Sequence, residues 1–414
     1  MLKISLVLGL LIVITAMIRD EISAPVDDIK LPEGFKASVV VDQLGKNRHI
    51  VVNNNGDIYV KLDSPKDGKG IYVLGDPNKD GKFEVTNSFG NYGGTGIAIK
   101  NGYLYASSNE EVFRYKLANN QVSNPGNPER IVTGLLNQKQ HESKSIILDN
   151  AGNLYVNIGA PSNACQQKDR TPASPGQDPC PLLQKAGGIW QFKAATMDQS
   201  YAQGVRYATG LRNVVGLDWN AQNNHLYVVQ HGRDQLNTLY PGTYNDQKNA
   251  DLPAEELFML KKGSDCGWPY CYYDGAQKKK VLGPEYGGDG NKQGQCSGKE
   301  QPLMAFPAHW APNALLFYTG KMFPAKYRNG AFIAFHGSWN RAPFKQAGYN
   351  VIFVPFSNGK PSGNFEVFAD GFAGKEPING SAQAKFRPCG LAQGPDGALY
   401  ISDSKVGRIW KITY

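Results

Sequence analysis

The chemistry this chain could perform is concentrated in its arginines and histidines. Arg48-His49, Gln140-His141, Arg212-Asn213 and Lys385-Phe386-Arg387 each stand just ahead of an apolar run that contains Tyr or Phe a few residues on, and His336-Gly337-Ser338-Trp339-Asn340-Arg341 stands just behind one. A guanidinium offers a planar fork of donors to a carboxylate, and a neutral imidazole has the unperturbed pKa best suited to take a proton near neutral pH. Any one Arg could merely tie down strand ends. Recurrence at five equivalent places instead suggests a cationic mouth for an acidic small ligand, with an imidazole base beside it. Of the six histidines, His225 lies in a turn, His49 begins a strand and His309 belongs to a connection, so structural roles are expected for them. His141 is the favoured base.

The elements that must position these residues are written in a repeat. A short apolar run, a polar turn usually ending in Gly and a second apolar run with Tyr or Phe recur at 50–60, 97–105, 146–156, 217–228, 322–334 and 391–401. Each predicts a β-hairpin. The first three copies are spaced by roughly 45 to 50 residues, the length of a four-stranded blade. The expectation is an all-β fold, a six-bladed β-propeller of four-stranded antiparallel blades, in which the loops of one face converge on the axis. Segments 160–188 and 232–312 read as insertions on one face, and residues 35–41 as the strand that completes the last blade and closes the ring. Residues 25–414 are thus read as one domain.

Composition agrees. Charged residues make up 19% and apolar ones 41%, with 47 Gly, 21 Tyr and 18 Phe; this is too little charge for general disorder and too much Gly for a coiled coil. The balance is +8, but no basic run exceeds Lys278 to Lys280, which argues against nucleic acid. Lys3 followed by the uncharged stretch 4–18 has the form of an export signal. Residues 1–24 are read as a signal peptide cleaved near Ala24 or as an N-terminal anchor tethering the chain through 4–18, and the mature part as periplasmic or extracellular. The six cysteines then favour disulfides over zinc. Cys165 and Cys180, which bracket a Pro-rich polar loop, are paired first. Asp76-Pro77-Asn78-Lys79-Asp80-Gly81 has the spacing of a calcium loop, but position twelve is Asn87 instead of Glu, so an Asp-Gly turn is favoured.

Six segments carry a family resemblance: Leu31-Pro32-Glu33-Gly34-Phe35, His141 ahead of its hairpin, Gly210-Leu211-Arg212-Asn213-Val214-Val215-Gly216, Asp265-Cys266-Gly267-Trp268-Pro269, 336–341, and Phe386-Arg387-Pro388-Cys389-Gly390-Leu391. In these the chain resembles the soluble pyrroloquinoline-quinone-dependent sugar dehydrogenases, including aldose, sorbosone and fungal pyranose dehydrogenases. The resemblance implies oxidation of the anomeric hydroxyl or aldehyde hydrate of a sugar, with hydride passing to the quinone and electrons to an unnamed acceptor. It implies His141 as base and Arg212 as a second catalytic group. Arg48, Arg212, Arg341 and Arg387 would pair with the cofactor's carboxylates, and Asn213, His336 and Asn340 would donate to it. A calcium ion on the quinone would be held by carbonyls at Gly232 and Arg233. The chain departs from the bacterial glucose enzyme at Gln140, where that enzyme has an acid, and at His231-Gly232-Arg233, where it has Gln-Gly-Pro. The alternatives are a calcium-dependent propeller lactonase and a noncatalytic secreted binding propeller.

Overall fold

Hairpin turns are set by residues that tolerate positive φ. Between Ile97–Lys100 and Tyr103–Ser107 the turn is Asn101-Gly102, with φ of 50° and 78°, the two-residue geometry that matches strand twist. The computed structural model describes residues 29–414; the leader read at 1–24 lies outside the described residues.

Six such hairpins grow into six antiparallel blades. The first blade is Asn47–Val52, Ile58–Lys66, Lys69–Gly75 and Glu84–Phe89; the second is Ile97–Lys100, Tyr103–Ser107, Val112–Ala118 and Glu129–Thr133. The third is Ile146–Leu148, Asn153–Ile158, Gly188–Lys193 and Val205–Thr209, and the fourth Val214–Asn220, His225–Gln230, Glu255–Leu260 and Met304–Phe306. Pro312–Tyr318, Gly330–Phe335, Asn350–Ser357 and Glu366–Ala369 form the fifth. The sixth joins Pro388–Gln393, Leu399–Asp403 and Ile409–Thr413 to Lys36–Val41 from the other end of the chain, with Val39 opposite Trp410.

The first strand of every blade lies on the axis, around a channel of about 420 Å³ that runs from His49 to Asn220, Thr319 and Gln393. The core is divided into layers between neighbouring blades: Ile71, Phe89 and Leu104 between the first and second, Leu226, Phe258 and Ile189 between the third and fourth. Two short parallel strands stitch blades together. Gln199–Ser200, from the third blade's connection, pairs with Glu129–Thr133 of the second, and Ser264–Asp265 pairs with Val205–Thr209 of the third.

The fifth hairpin differs from expectation. Its inner strand is Pro312–Tyr318, pairing Leu315 with Ile333, and the apolar residues at 322–323 lie in the connection. Pro324 has no N–H for a ladder, whereas Pro312 is tolerated as the first residue of a strand. Phe323 is buried by stacking on Tyr318, with ring centroids 4.7 Å apart. Cys165–Cys180 is a disulfide, as expected, and Cys271–Cys296 is a second. The reading of six paired cysteines is corrected: Cys266 and Cys389 are buried thiols. Cys266 packs between the third and fourth blades, and Cys389 lies on the axial strand of the sixth.

Trp410 is fully buried where first and last strands meet, edge-on to Phe372 and Phe386. Trp410→Ala is expected to lower the unfolding free energy by about 3–5 kcal/mol, measured by denaturant titration. A loss below ~1 kcal/mol would show that this junction does not hold the ring.

Candidate active site

Because each inner strand starts on the same face, the residues preceding these strands meet at one end of the axis. Arg48 reaches across two blades, its Nε donating to Thr95 Oγ1 at 3.1 Å and Nη2 to Ser143 Oγ at 2.9 Å. Its nearest carboxylate, Asp63, is 3.8 Å away and half exposed. Arg387 donates from Nε to the His336 carbonyl at 3.0 Å and from Nη2 to the Gly337 carbonyl at 2.8 Å. Neither guanidinium has a close carboxylate partner in these contacts.

Beside them is a cavity of about 250 Å³, lined among others by His141, Arg212, His231, Asp234, Glu255 and His309. His141 has a φ of 53°, and its Nδ1 lies 2.6 Å from the Ala160 carbonyl. A carbonyl only accepts, so Nδ1 carries the hydrogen and a neutral ring keeps its lone pair on Nε2. Burial, reinforced by Arg212, pushes His141 down to about 3. Gly159 is required behind it, since a Cβ there would sit 2.5 Å from the His141 carbonyl oxygen.

Four more imidazoles are at least partly buried, of which His231 and His309 line this cavity. His49 Nε2 is 2.8 Å from the Asn313 carbonyl, His231 Nε2 3.0 Å from that of Pro312, and His309 Nε2 2.7 Å from that of Asn249. His336 Nε2 is 2.6 Å from Ser404 Oγ. Burial lowers His49 and His231 to about 4, lowers His309, and holds His336 well below the ordinary range. Nearby guanidiniums act in the same direction on all four. His309, expected to be only part of a connection, lines the cavity. His225 is held by its own turn, through Nδ1 2.7 Å from the Asn223 carbonyl.

Arg212 is almost wholly engaged by the protein. Its Nη2 donates to Asp234 Oδ2 at 2.7 Å and Asn163 Oδ1 at 3.0 Å, Nε to the Asn163 carbonyl at 3.2 Å, and Nη1 to the Gly232 carbonyl at 2.8 Å. Burial opposes the Asp234 charge, but its neighbours together outweigh it, Arg212 foremost and Arg170 among them, and hold the carboxyl at about 2. Arg170, on the disulfide-closed loop, also reaches Asp234, at 3.2 Å. Asn213, the residue after Arg212, has a buried Oδ1 without a hydrogen-bond partner among the described residues. Asn340 and Arg341 do not line the cavity: the Asn340 carbonyl takes Asn249 Nδ2 at 2.9 Å, and Arg341 binds the Ala250 carbonyl.

The Gly232 carbonyl, read as a calcium ligand, already accepts from Arg212, and that positive charge beside it disfavours a cation there; the Arg233 side chain is in a buried pair with Glu285. Among the described residues no three His, Cys, Asp or Glu side chains cluster as metal ligands. At 76–84 the carboxylates of Asp76 and Asp80 accept from their own turn's amides, including Gly81 N at 2.9 Å and Lys82 N at 2.8 Å.

The fold and the cationic, imidazole-lined mouth define a β-propeller with its site at one end of the axis. The chain belongs to the TrAA12-like family, whose profile matches residues 29–414. It is 24% identical over 401 residues to an uncharacterized protein of Borreliella burgdorferi, covering 93% of this chain and 91% of that one. It is 26% identical over 275 residues to the pyrroloquinoline quinone-dependent pyranose dehydrogenase of Coprinopsis cinerea, covering 58% of this chain but spanning only 36% of that enzyme. The holo form of the quinone domain of a Coprinopsis cinerea pyranose dehydrogenase superposes with a TM-score of 0.72 at 20% identity, over 93% of this chain and 97% of that one, and shows the shared fold.

The neutral imidazoles make stability depend on pH. Between pH 7 and 5 the unfolded chain protonates them near 6.5, whereas the folded chain does not until well below. The unfolded state then binds more protons, and stability falls with pH by up to about 1.4 kcal/mol per unit for each imidazole. Burial raises Glu255 to about 8 and Asp218 to about 7, which works the opposite way. The five imidazoles outnumber these two carboxyls. The denaturation midpoint is therefore expected to drop from pH 7 to 5; a flat or rising midpoint would contradict neutral imidazoles at the mouth.

Proposed function

We propose that the chain is a pyrroloquinoline-quinone-dependent dehydrogenase that oxidises the anomeric hydroxyl or aldehyde hydrate of a sugar. The observation that carries this reading is His141, an imidazole with its tautomer fixed by Ala160 and its Nε2 free, in a cavity beside guanidiniums. The quinone-dependent sugar and pyranose dehydrogenases among its relatives support the same reading. Arg48, with Asp63 no nearer than 3.8 Å, and Arg387, whose side chain donates to carbonyls, would hold an acidic cofactor, and the orphaned Oδ1 of Asn213 and the ring of His336 would border it. Bound there, the quinone supplies the acceptor for the hydride that leaves the sugar carbon.

This chain's residues supply the rest. His141 Nε2 would take the hydroxyl proton, a transfer that must accompany loss of hydride from the same carbon. Its low proton affinity comes from burial and Arg212, and an anionic ligand among the guanidiniums offsets part of that repulsion. Arg212, clamped by Asp234, Asn163 and Gly232, is a fixed positive charge in the cavity wall. Asn340 and Arg341 are assigned to holding their own loop, and no step is given to a metal at Gly232. The electron acceptor is a separate partner. Two disulfides suit an oxidising compartment and support export.

His141→Ala is expected to retain quinone, measured by absorption titration, while sugar oxidation falls by at least ~10²-fold. Parent-level turnover in a quinone-loaded His141→Ala protein would remove His141 from the role.

A further inference from the structure

The third strand of the fourth blade opens with two consecutive buried acids, Glu255 at 1% exposure and Glu256 at 3%. Successive side chains of a strand leave on opposite sides, so the two address different surroundings. Glu256 Oε1 accepts from the buried Lys280 Nζ at 2.7 Å, and its Oε2 from Gln230 Nε2 at 2.5 Å. Gln230 Oε1 in turn accepts from the Arg212 backbone N–H at 3.1 Å. Glu255, whose oxygens both accept from backbone amides, borders the cavity. Its Oε2 accepts from the Gly232 N–H at 2.7 Å and its Oε1 from the Ala311 N–H at 2.9 Å.

Those two amides belong to the two segments that face each other across the cavity. Gly232 follows His231, and its own carbonyl receives Arg212 Nη1. Ala311, held at a φ of 61°, precedes Pro312, whose carbonyl receives His231 Nε2. A single carboxyl thus ties the loop of the fourth blade to the entry of the fifth, with His231 bridging the same gap. Gly232 cannot be replaced without loss of this fit, because a Cβ there would lie 2.8 Å from Pro253 Cγ. With each oxygen already receiving an amide, Glu255 is poorly placed to take a proton from a ligand.

We infer that Glu255 is a positioning residue that fixes the Gly232 peptide, and through it the Arg212 guanidinium, relative to the fifth blade. Its consequence for turnover rests on the proposed dehydrogenase reading; its effect on the two loops does not.

The test uses the full chain with Glu255→Gln, which keeps the shape but presents an NH₂ where one amide needs an acceptor, and Glu255→Asp, which keeps the carboxyl one methylene short. Hydrogen exchange of the quinone-free protein should show the amides of Gly232 and Ala311 exchanging about tenfold faster or more in Glu255→Gln, since a buried amide left without its acceptor loses on the order of a decade in an equilibrium. Amides of the outer strands of the fourth blade should be unchanged. In the quinone-loaded protein kcat should fall by about tenfold or more with KM for sugar within about threefold, because a displaced fixed charge acts on the reacting arrangement more than on binding. Unaltered exchange at both amides in Glu255→Gln overturns the assignment, and so does acceleration spread evenly over the whole blade, which is the mark of a merely structural residue. If Glu255→Gln does not fold, Glu255→Asp decides by the same amides, faster exchange supporting the assignment and parent-like exchange overturning it. Failure of the parent to bind quinone or oxidise sugar would count against the dehydrogenase reading alone, the exchange result still deciding the clamp.

Discussion

Backbone pairing between Lys36–Val41 and Ile409–Thr413 is the constraint on which the remainder depends. Apolar side chains of each blade are buried against the next blade, so a chain of six blades buries both faces of each only when the ring closes. Here the closing layer joins Val40, Ile50 and Ile58 to Tyr400 and Ile409, and Phe35 packs edge-on against Phe323, Tyr327, Phe368 and Tyr414. Closure also builds the site. Ser402 Oγ of the sixth blade donates to the Arg48 carbonyl at 2.7 Å, and a Cβ on Gly390 would lie 2.5 Å from that same oxygen. Arg48 and Arg387, far apart in sequence, therefore become electrostatic neighbours across the seam.

Gathering guanidiniums in a partly buried space carries desolvation and repulsion costs, and neutral imidazoles beside them add no further positive charge. Four of the five mouth histidines place a ring nitrogen against a backbone carbonyl and the fifth places one against a serine hydroxyl. The carbonyls of Pro312 and Asn313 belong to a paired strand, so the ring orientations of His231 and His49 are inherited from the sheet. Arg212 is treated differently from Arg48 and Arg387. It has a close carboxylate in Asp234, whereas Arg48 donates to hydroxyls, with Asp63 3.8 Å away, and Arg387 donates to carbonyls.

How far this could be read in the sequence follows from how local each signal is. Hairpins such as 97–105 were legible because Asn101-Gly102 specifies a turn by itself, and the axial residues because they precede those hairpins at equivalent places. The hairpin at 322–334 was misplaced because Phe323 and Tyr327, apolar enough for a strand, are buried by a turn instead. The parallel stitches at 199–200 and 264–265 carry only two residues each and have no pattern to detect. Cys165 and Cys180 bracket one loop, whereas Cys271 and Cys296 are joined across a hairpin that the repeat did not contain. Asp234, Arg170 and Glu255 were missed for a related reason: they come from insertions or from a third strand, outside the recurring unit. The one sequence hint was Glu255-Glu256 at the head of the apolar run Leu257-Phe258, an acid pair that no exposed strand end requires.

The insertions that supply those residues would be costly if they were loose, since long loops pay closure entropy and carry backbone groups that need partners. Each is anchored close to the residue it presents. Cys165–Cys180 closes the segment bearing Asp169 and Arg170, and Asp169 is held by Gln140 Nε2 at 2.9 Å and Ser162 Oγ at 2.8 Å. Within 232–312, the buried Arg233–Glu285 pair fixes the residue between Gly232 and Asp234, and Cys271–Cys296 secures the hairpin that leads to Glu285. Removing one member of such a buried pair leaves an uncompensated charge, so the loop has one favourable arrangement and not a range of them. Gln140 sits where the anchored insertion meets the axial entry of the third blade, one residue before His141. The neutral amide there donates to Asp169 and accepts weakly from Arg170, so the insertion contributes to the position of His141 without adding a charge beside it.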